Sequence, residues 1–246
     1  ASFPTMHCAT KSTICRCLKR GLEKYSQTDA GSLYTFKWVN LPQGLYVKNE
    51  AMDPMHEDPI KLLPLDIRRT LEGEFNTLMV DRASDKDKVN VNKLQLRGQL
   101  NPFSRFMMDE LMIQYNGDWK RVLNEHIEVQ RFIMDETQRK GIGTFQPKDE
   151  KNQDSTELTG DINYHLLGQY GVDSDPRAFS FDGEFQRANR GMLEFIEVLK
   201  LAKEFLYDLL GACQERQVKP KKFSQIDIDL CLIAHTNSPE FLKLQS

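Results

Sequence analysis

Residues 5–13 spell Thr-Met-His-Cys-Ala-Thr-Lys-Ser-Thr, with the length and ending of a phosphate-binding loop but none of its glycines. Such a loop reads G-x-x-x-x-G-K-[ST]. Its glycines let backbone N–H groups wrap the phosphates, its Lys reaches the β/γ-phosphates, and its Ser/Thr hydroxyl holds Mg²⁺. Lys11, Ser12 and Thr13 are in place, while Thr5 and Thr10 occupy the two glycine positions. This stretch constrains the fold more than any other, because a loop of this kind follows a buried strand and opens a helix. The local alternative is an ordinary helix start with Thr10 as N-cap. In either reading a helix follows: Ile14, Leu18, Leu22 and Tyr25 recur at helical spacing, with Lys19, Arg20 and Glu23 opposite.

A chain of 246 residues can bury a sizeable core, as one large domain or one domain with a subdomain. Its 39% hydrophobic and 28% charged residues fit a soluble globular protein on the polar side. A net charge of −3 argues against a general nucleic-acid role, which needs a clustered basic surface. No apolar run approaches the ~20 residues that span a bilayer, and no basic-then-apolar leader opens the chain. We therefore expect a cytoplasmic protein without a membrane partner. The odd cysteine count, five, lacks framework spacing and suits reduced thiols. His7, Cys8, Cys15 and Cys17 cluster in sequence. Cys15 and Cys17, however, stand two apart on a predicted helix and face different ways, and no C-x₂-C pair is present. Burial as small hydrophobes is the better account of them. Only Ala1, Ser2, Phe3 and Pro4 precede the loop, with no initiator Met, so we expect a piece truncated at both ends.

Farther along, residues 33–39 are β-rich and read as a strand, and residues 40–66, with four prolines, as a loop. Within it, residues 54–59 form a compact acidic turn. Residues 81–93 are charged and aperiodic, expected mobile or solvent-facing. Residues 104–115 and 118–138 read as helices, the second with an apolar stripe on which His126 packs. Residues 140–161 read as a long polar loop. A helix over 184–190, an apolar segment from Gly191 to Glu197, a helix over 203–214 and a strand over 226–235 complete the pattern.

Several stretches together resemble the AAA+ domain of the bacterial PrkA-type serine protein kinases. They include His-Glu-Asp-Pro at 56–59, Gly-Ile-Gly-Thr-Phe at 141–145, Asn-Gln-Asp at 152–154 and Leu-Thr-Gly at 158–160. Ser-Asp-Pro-Arg-Ala at 174–178, Phe-Asp-Gly-Glu at 181–184, residues 188–197 and Ala-His-Thr-Asn at 234–237 continue the series. Their order and spacing match the family from residue 5 to the end, so residues 1–246 read as one AAA+ domain. The resemblance implies an α/β fold, a P-loop NTPase with a mostly parallel sheet flanked by helices and long helical insertions. It implies ATP and Mg²⁺ as cofactors, a protein substrate and a homo-oligomer. The family's kinase-like C-terminal region is not in this sequence.

The resemblance also implies roles for particular residues. Thr10, Lys11, Ser12 and Thr13 match the end of the nucleotide loop, with Lys11 at the γ-phosphate and Ser12 on Mg²⁺. Glu197 falls where AAA+ proteins place the carboxylate that polarises the attacking water, and Asn237 at the sensor position. The Mg²⁺-side aspartate position holds Ile196, and Glu194 is a second acid nearby. Because loop, Glu197 and Asn237 each follow a predicted strand, a parallel sheet would gather them at one crevice. Against this, side chains at glycine positions cost roughly 1–2 kcal/mol wherever φ is positive. Other readings remain open: Glu194 and Glu197 as a solvated pair on a helix face, Asn237 as a turn residue, His56 and Asp58 as turn structure. Arg177 and Arg187 are surface arginines or fingers toward a neighbouring subunit. A scaffold without nucleotide and a proteolytic or remodelling motor are the rival functions.

Overall fold

The computed structural model describes residues 8–83, 93–96, 98–147, 155–201 and 203–237. Helix α1, Cys8–Ser26, forms where the helical spacing places it, but Ile14, Leu18 and Tyr25 of the expected apolar face are exposed, and Cys15 with the expected polar-face Lys19 is buried instead. It starts earlier than expected: Thr10 lies inside the helix rather than capping it. With no glycine at residues 8–10 to end it, the helix extends back to Cys8, and Ala9 is the best helix former available. The positive-φ penalty on the missing glycines therefore does not apply to Cys8, Ala9 and Thr10. Residues 5–7 lie outside the described residues, as do 84–92 of the charged stretch.

Strand β1, Leu33–Trp38, pairs antiparallel with the short β2, Ala51–Met52. A 3₁₀ turn, Pro59–Leu62, is capped by Asp58 and leads to α2, Leu65–Arg82. Next come α3, Pro102–Gln114, capped by Asn101, and α4, Trp119–His126, capped by Asp118. Here the expected helix over 118–138 stops short, since Ile127–Phe132 is strand β3. The sequence Ile-Glu-Val-Gln-Arg-Phe carries two β-branched residues, Ile127 and Val129, and ends on the buried Phe132. Antiparallel pairing with β1, from Leu33 opposite Phe132 to Trp38 opposite Ile127, decides the matter. His126 ends α4, buried as expected, with Tyr115 Oη 2.9 Å and the Val39 carbonyl 3.1 Å from its ring nitrogens.

A second sheet is parallel. Strand β4, Ile142–Phe145, falls in the stretch expected to be an exposed loop. It is followed by α5, Thr156–Thr159, β5, Asp161–Ile162, and α6, Tyr164–Tyr170. Then come β6, Phe179–Ser180, α7, Glu184–Arg187, and β7, Met192–Ile196, where a strand was expected. Helix α7 ends three residues before the expected limit. Helix α8, Lys203–Leu210, continues into a π-turn. Strands β8, Gln217–Val218, and β9, Ile226–Asp227, form a hairpin pair, and β10, Cys231–His235, is the last element among the described residues. The strand expected over 226–235 is thus two strands, because residues 228–230 leave one sheet for another.

Among the described residues the parallel sheet has the order β10-β7-β4. Cys231 and Ile142 both flank Met192, so all three carboxyl ends point the same way. Strand β7 is buried from Met192 to Phe195, as befits a central parallel strand. Gly191 allows this pairing, since a Cβ there would overlap the Gly141 carbonyl oxygen. One apolar core spans both sheets, joining Phe36 and Trp38 of β1 to Leu193 and Phe195 of β7 and to Met107 and Leu111 of α3. Each such side chain contributes about 1.5–3 kcal/mol by leaving water. No helix of the described residues is long and apolar enough to cross a membrane.

Candidate functional site

The carboxyl ends of β7 and β10 meet the first turns of α1. One turn into that helix, the Lys11 ammonium donates to the Thr236 carbonyl just past β10. The neighbouring Asn237 donates from Nδ2 to Glu197 Oε1 at 2.8 Å, and Glu197 directly follows β7. Lys200 holds the other oxygen, Oε2, at 2.7 Å. Glu197 sits at φ 56°, in the left-handed region that costs a non-glycine residue roughly 1 kcal/mol. That strained turn swings its carboxylate toward Asn237, so the reading of Glu194 and Glu197 as one helix face does not hold. Lys11, Glu197 and Asn237, far apart in sequence, thus share one corner of the sheet. Thr10, Ser12 and Thr13 lie in the same first turns of α1. The first four N–H groups of any helix have no partner within it and carry the positive end of its dipole.

Beneath this corner lies a buried polar cluster that the sequence reading passed over. Lys19, one face-repeat further along α1, is buried between α1 and the sheet. Its ammonium lies 2.6 Å from Glu194 Oε2 and 2.9 Å from Glu136 Oε1, and it donates to Thr144 Oγ1. His235 Nε2 lies 3.0 Å from Glu194 Oε1. Burial opposes the charge on Glu194, but hydrogen bonds from Lys19 and His235 outweigh it and hold the carboxyl below its usual range. Burial likewise opposes the Lys19 charge, and Glu194 and Glu136 more than restore it. Cys15 also packs here; burial first, then Glu194, pushes its thiol up. Glu194 is therefore held by Lys19, His235 and the Cys15 thiol. The signal was available: a glutamate inside Met-Leu-Glu-Phe-Ile, an otherwise apolar strand, demands a buried partner.

A second hub fixes the 54–59 turn. Asp53 and Glu57 are fully buried. Asp53 Oδ1 accepts from Asn101 Nδ2 and Ser104 Oγ, both at 2.6 Å. Glu57 Oε2 accepts from the Asn101 backbone N–H at 2.9 Å, and Lys61 Nζ lies 3.0 Å from Oε1. Burial, then the Asp53 charge, pushes Glu57 up to about 7. His56 is stacked on Phe132, and burial together with Lys140 and Arg190 holds it down to about 4. Asp58 caps the 3₁₀ turn and pairs with Arg190 at 3.1 Å. Both residues are turn structure, as expected. Arg177 lies over Tyr170 and Phe106 and pairs with Asp175, while Arg187 pairs with Asp182.

Comparison with known proteins settles the lineage. The family model described as the PrkA AAA domain matches residues 6–246. The chain belongs to the PrkA AAA domain family. This PrkA AAA domain is 37% identical over 231 residues to a Bacillus subtilis protein named ATP-dependent protease PrkA, covering 94% of this chain and 30% of that one. It is 32% identical over 110 residues to the Escherichia coli serine/threonine kinase YeaG, covering 44% of this chain and 17% of that one. The chain therefore spans less than a third of either relative. A crystal structure of NtrX from Brucella abortus superposes with TM-score 0.33 at 16% identity, over 44% of this chain and 23% of its own. The family resemblance read from the sequence stands, and with it the α/β fold of the ATP-binding AAA+ class.

Proposed function

We propose that this PrkA AAA domain binds ATP with Mg²⁺ at the N-terminal end of α1 and directs attack on its γ-phosphate. The observation that carries this reading is the meeting of Lys11, Asn237 and Glu197 at the carboxyl edge of a parallel sheet, where ligands of such sheets bind. The donor set fits the group: an ammonium, the N–H groups of a helix start, a hydroxyl, an acid and an amide. Lys11 would leave the Thr236 carbonyl for the β/γ-phosphates, adding its charge to the helix dipole. Ser12 would hold Mg²⁺ by its hydroxyl. Glu197, positioned by Asn237, would accept hydrogen bonds from the attacking water, and Asn237 would sense the γ-phosphate. ATP brings the transferable phosphoryl group and Mg²⁺ neutralises its developing charge; the protein's part is positioning and electrostatics.

The destination of the phosphoryl group divides the readings. Transfer to a protein Ser/Thr suits the relative named a kinase, and hydrolysis driving a ring or homo-oligomeric motor suits the relative named a protease. The glycine-free loop favours a further reading, a scaffold that no longer binds nucleotide. Calorimetric titration of ATP·Mg²⁺ into the wild-type chain and a Lys11→Ala variant separates them. We expect saturable heat in the first and at least tenfold weaker binding in the second. Equal weak heats in two folded proteins would leave only the scaffold. Radiolabel on a protein acceptor would mark a kinase, and release of inorganic phosphate alone a motor.

A further inference from the structure

Three side chains of different chemistry converge under the corner just described. Cys15 comes from α1, Glu194 from β7 and His235 from β10, and one ligand atom of each lies within 4.8 Å of the others. Cys15 and Glu194 are 4% exposed, and the His235 side chain is 13% exposed. We propose that Cys15, Glu194 and His235 form a binding site for a thiophilic divalent cation of the zinc type, bracing α1 to the parallel sheet.

The chemistry of the set selects the ion. Thiolate, imidazole and carboxylate together are a zinc-type triad that leaves a fourth position for water. A sulfur ligand disfavours Mg²⁺ and Ca²⁺, so this site is distinct from any Mg²⁺ held by Ser12. Bonds of about 2.0–2.3 Å in a tetrahedron place ligand atoms roughly 3.3–3.8 Å apart. The present separations bracket that range, with His235 Nε2 and Glu194 Oε1 at 3.0 Å and no pair beyond 4.8 Å. Small side-chain rotations on three regular elements suffice. Lys19, on the other oxygen of Glu194, fixes the carboxylate as an outer partner of a metal ligand does. Charge also closes. With a neutral thiol and imidazole, Lys19, Glu136 and Glu194 sum to −1. A dication with a Cys15 thiolate brings the cluster to zero, the thiol proton leaving to solvent.

Each ligand neighbours a residue of the nucleotide reading: Cys15 is one helical turn from Lys11, Glu194 three residues before Glu197, and His235 two before Asn237. Metal binding is testable without that reading. The full chain, stripped of metal and kept reduced, is titrated with Co²⁺ and then Zn²⁺. We expect one Co²⁺ per chain, thiolate-to-cobalt absorption with the visible bands of a tetrahedral site, loss of those bands on adding Zn²⁺, and a higher Tm with metal. Cys15→Ser abolishes the thiolate band, His235→Gln weakens binding at least tenfold, and Cys17→Ser, changing an exposed cysteine, alters nothing. If Cys15→Ser does not fold, His235→Gln decides. Absence of stoichiometric Co²⁺ in the wild-type chain, a band that survives Cys15→Ser, or full affinity in His235→Gln overturns the proposal. ATP binding is read separately by calorimetry, so either idea can fail alone.

Discussion

Replacing Glu57 by Gln isolates the electrostatic cost of the buried acid hub. Glu57 is fully buried, and its carboxyl moves from an ordinary 4.5 to about 7 because burial and Asp53 oppose its charge, only partly offset by Lys61 and Asn101. The folded protein then binds this proton more tightly than the unfolded chain. Its stabilising contribution is complete below pH 4.5 and is lost as pH rises to about 7. At about 1.4 kcal/mol per pH unit, that window corresponds to roughly 3 kcal/mol. Gln has no proton to lose, and its amide oxygen can still accept from the Asn101 backbone N–H and Nδ2, now 2.9 and 2.7 Å from Glu57 Oε2. Urea unfolding of both proteins at pH 5 and pH 8 supplies the double difference. We expect the variant to gain about 2.5 kcal/mol on the wild type between those pH values, since pH 5 already lies inside the window, and somewhat less if Asp53 responds to losing its charged neighbour. Curves that run parallel within about 1 kcal/mol would refute the account of Glu57 as a carboxyl kept neutral by its surroundings.

Two further changes test the packing that places the site. Lys19→Met leaves the Glu194 carboxylate buried without its cation, held by His235 and the Cys15 thiol, so chemical denaturation should show a loss near 3 kcal/mol, the lower part of the range for breaking a buried pair. A loss under about 1 kcal/mol would mean the pair contributes nothing net. Gly191→Ala puts a methyl group onto the Gly141 carbonyl oxygen and must part β4 from β7. It should cost more than about 4 kcal/mol or prevent folding, and a variant of wild-type stability by the same assay would disprove that crossing.

Regular elements with one dominant signal were legible. The helical spacing after Lys11 marks α1, and the apolar run before Glu197, interrupted only by Glu194, marks β7. Where two signals competed, tertiary pairing won. Residues 127–132 carry β-branched Ile127 and Val129 within a helical stripe, and β1 supplied the edge that chose the strand. Residues 142–145 look like a polar loop because Gly141 and Gly143 mask a strand. A Cβ at 143 would meet Leu193 and Glu184, so Gly143 is there for close approach within the sheet. Glu194 was read as a spare acid, since nothing nearby in sequence announces Lys19 or His235 as its partners.

By itself the sequence determined where α1, α3 and β7 form and which family the chain resembles, because periodicity, turn chemistry and motif spacing act over a few residues. Only the tertiary structure decided that Lys11 meets Thr236 and that Glu197 meets Asn237. The same holds for Cys15, Glu194 and His235, which come from three elements and bring one ligand atom each within 4.8 Å of the others. Those encounters depend on strand order and on the depth to which α1 settles against the sheet, and both are fixed by long-range burial rather than by neighbours along the chain.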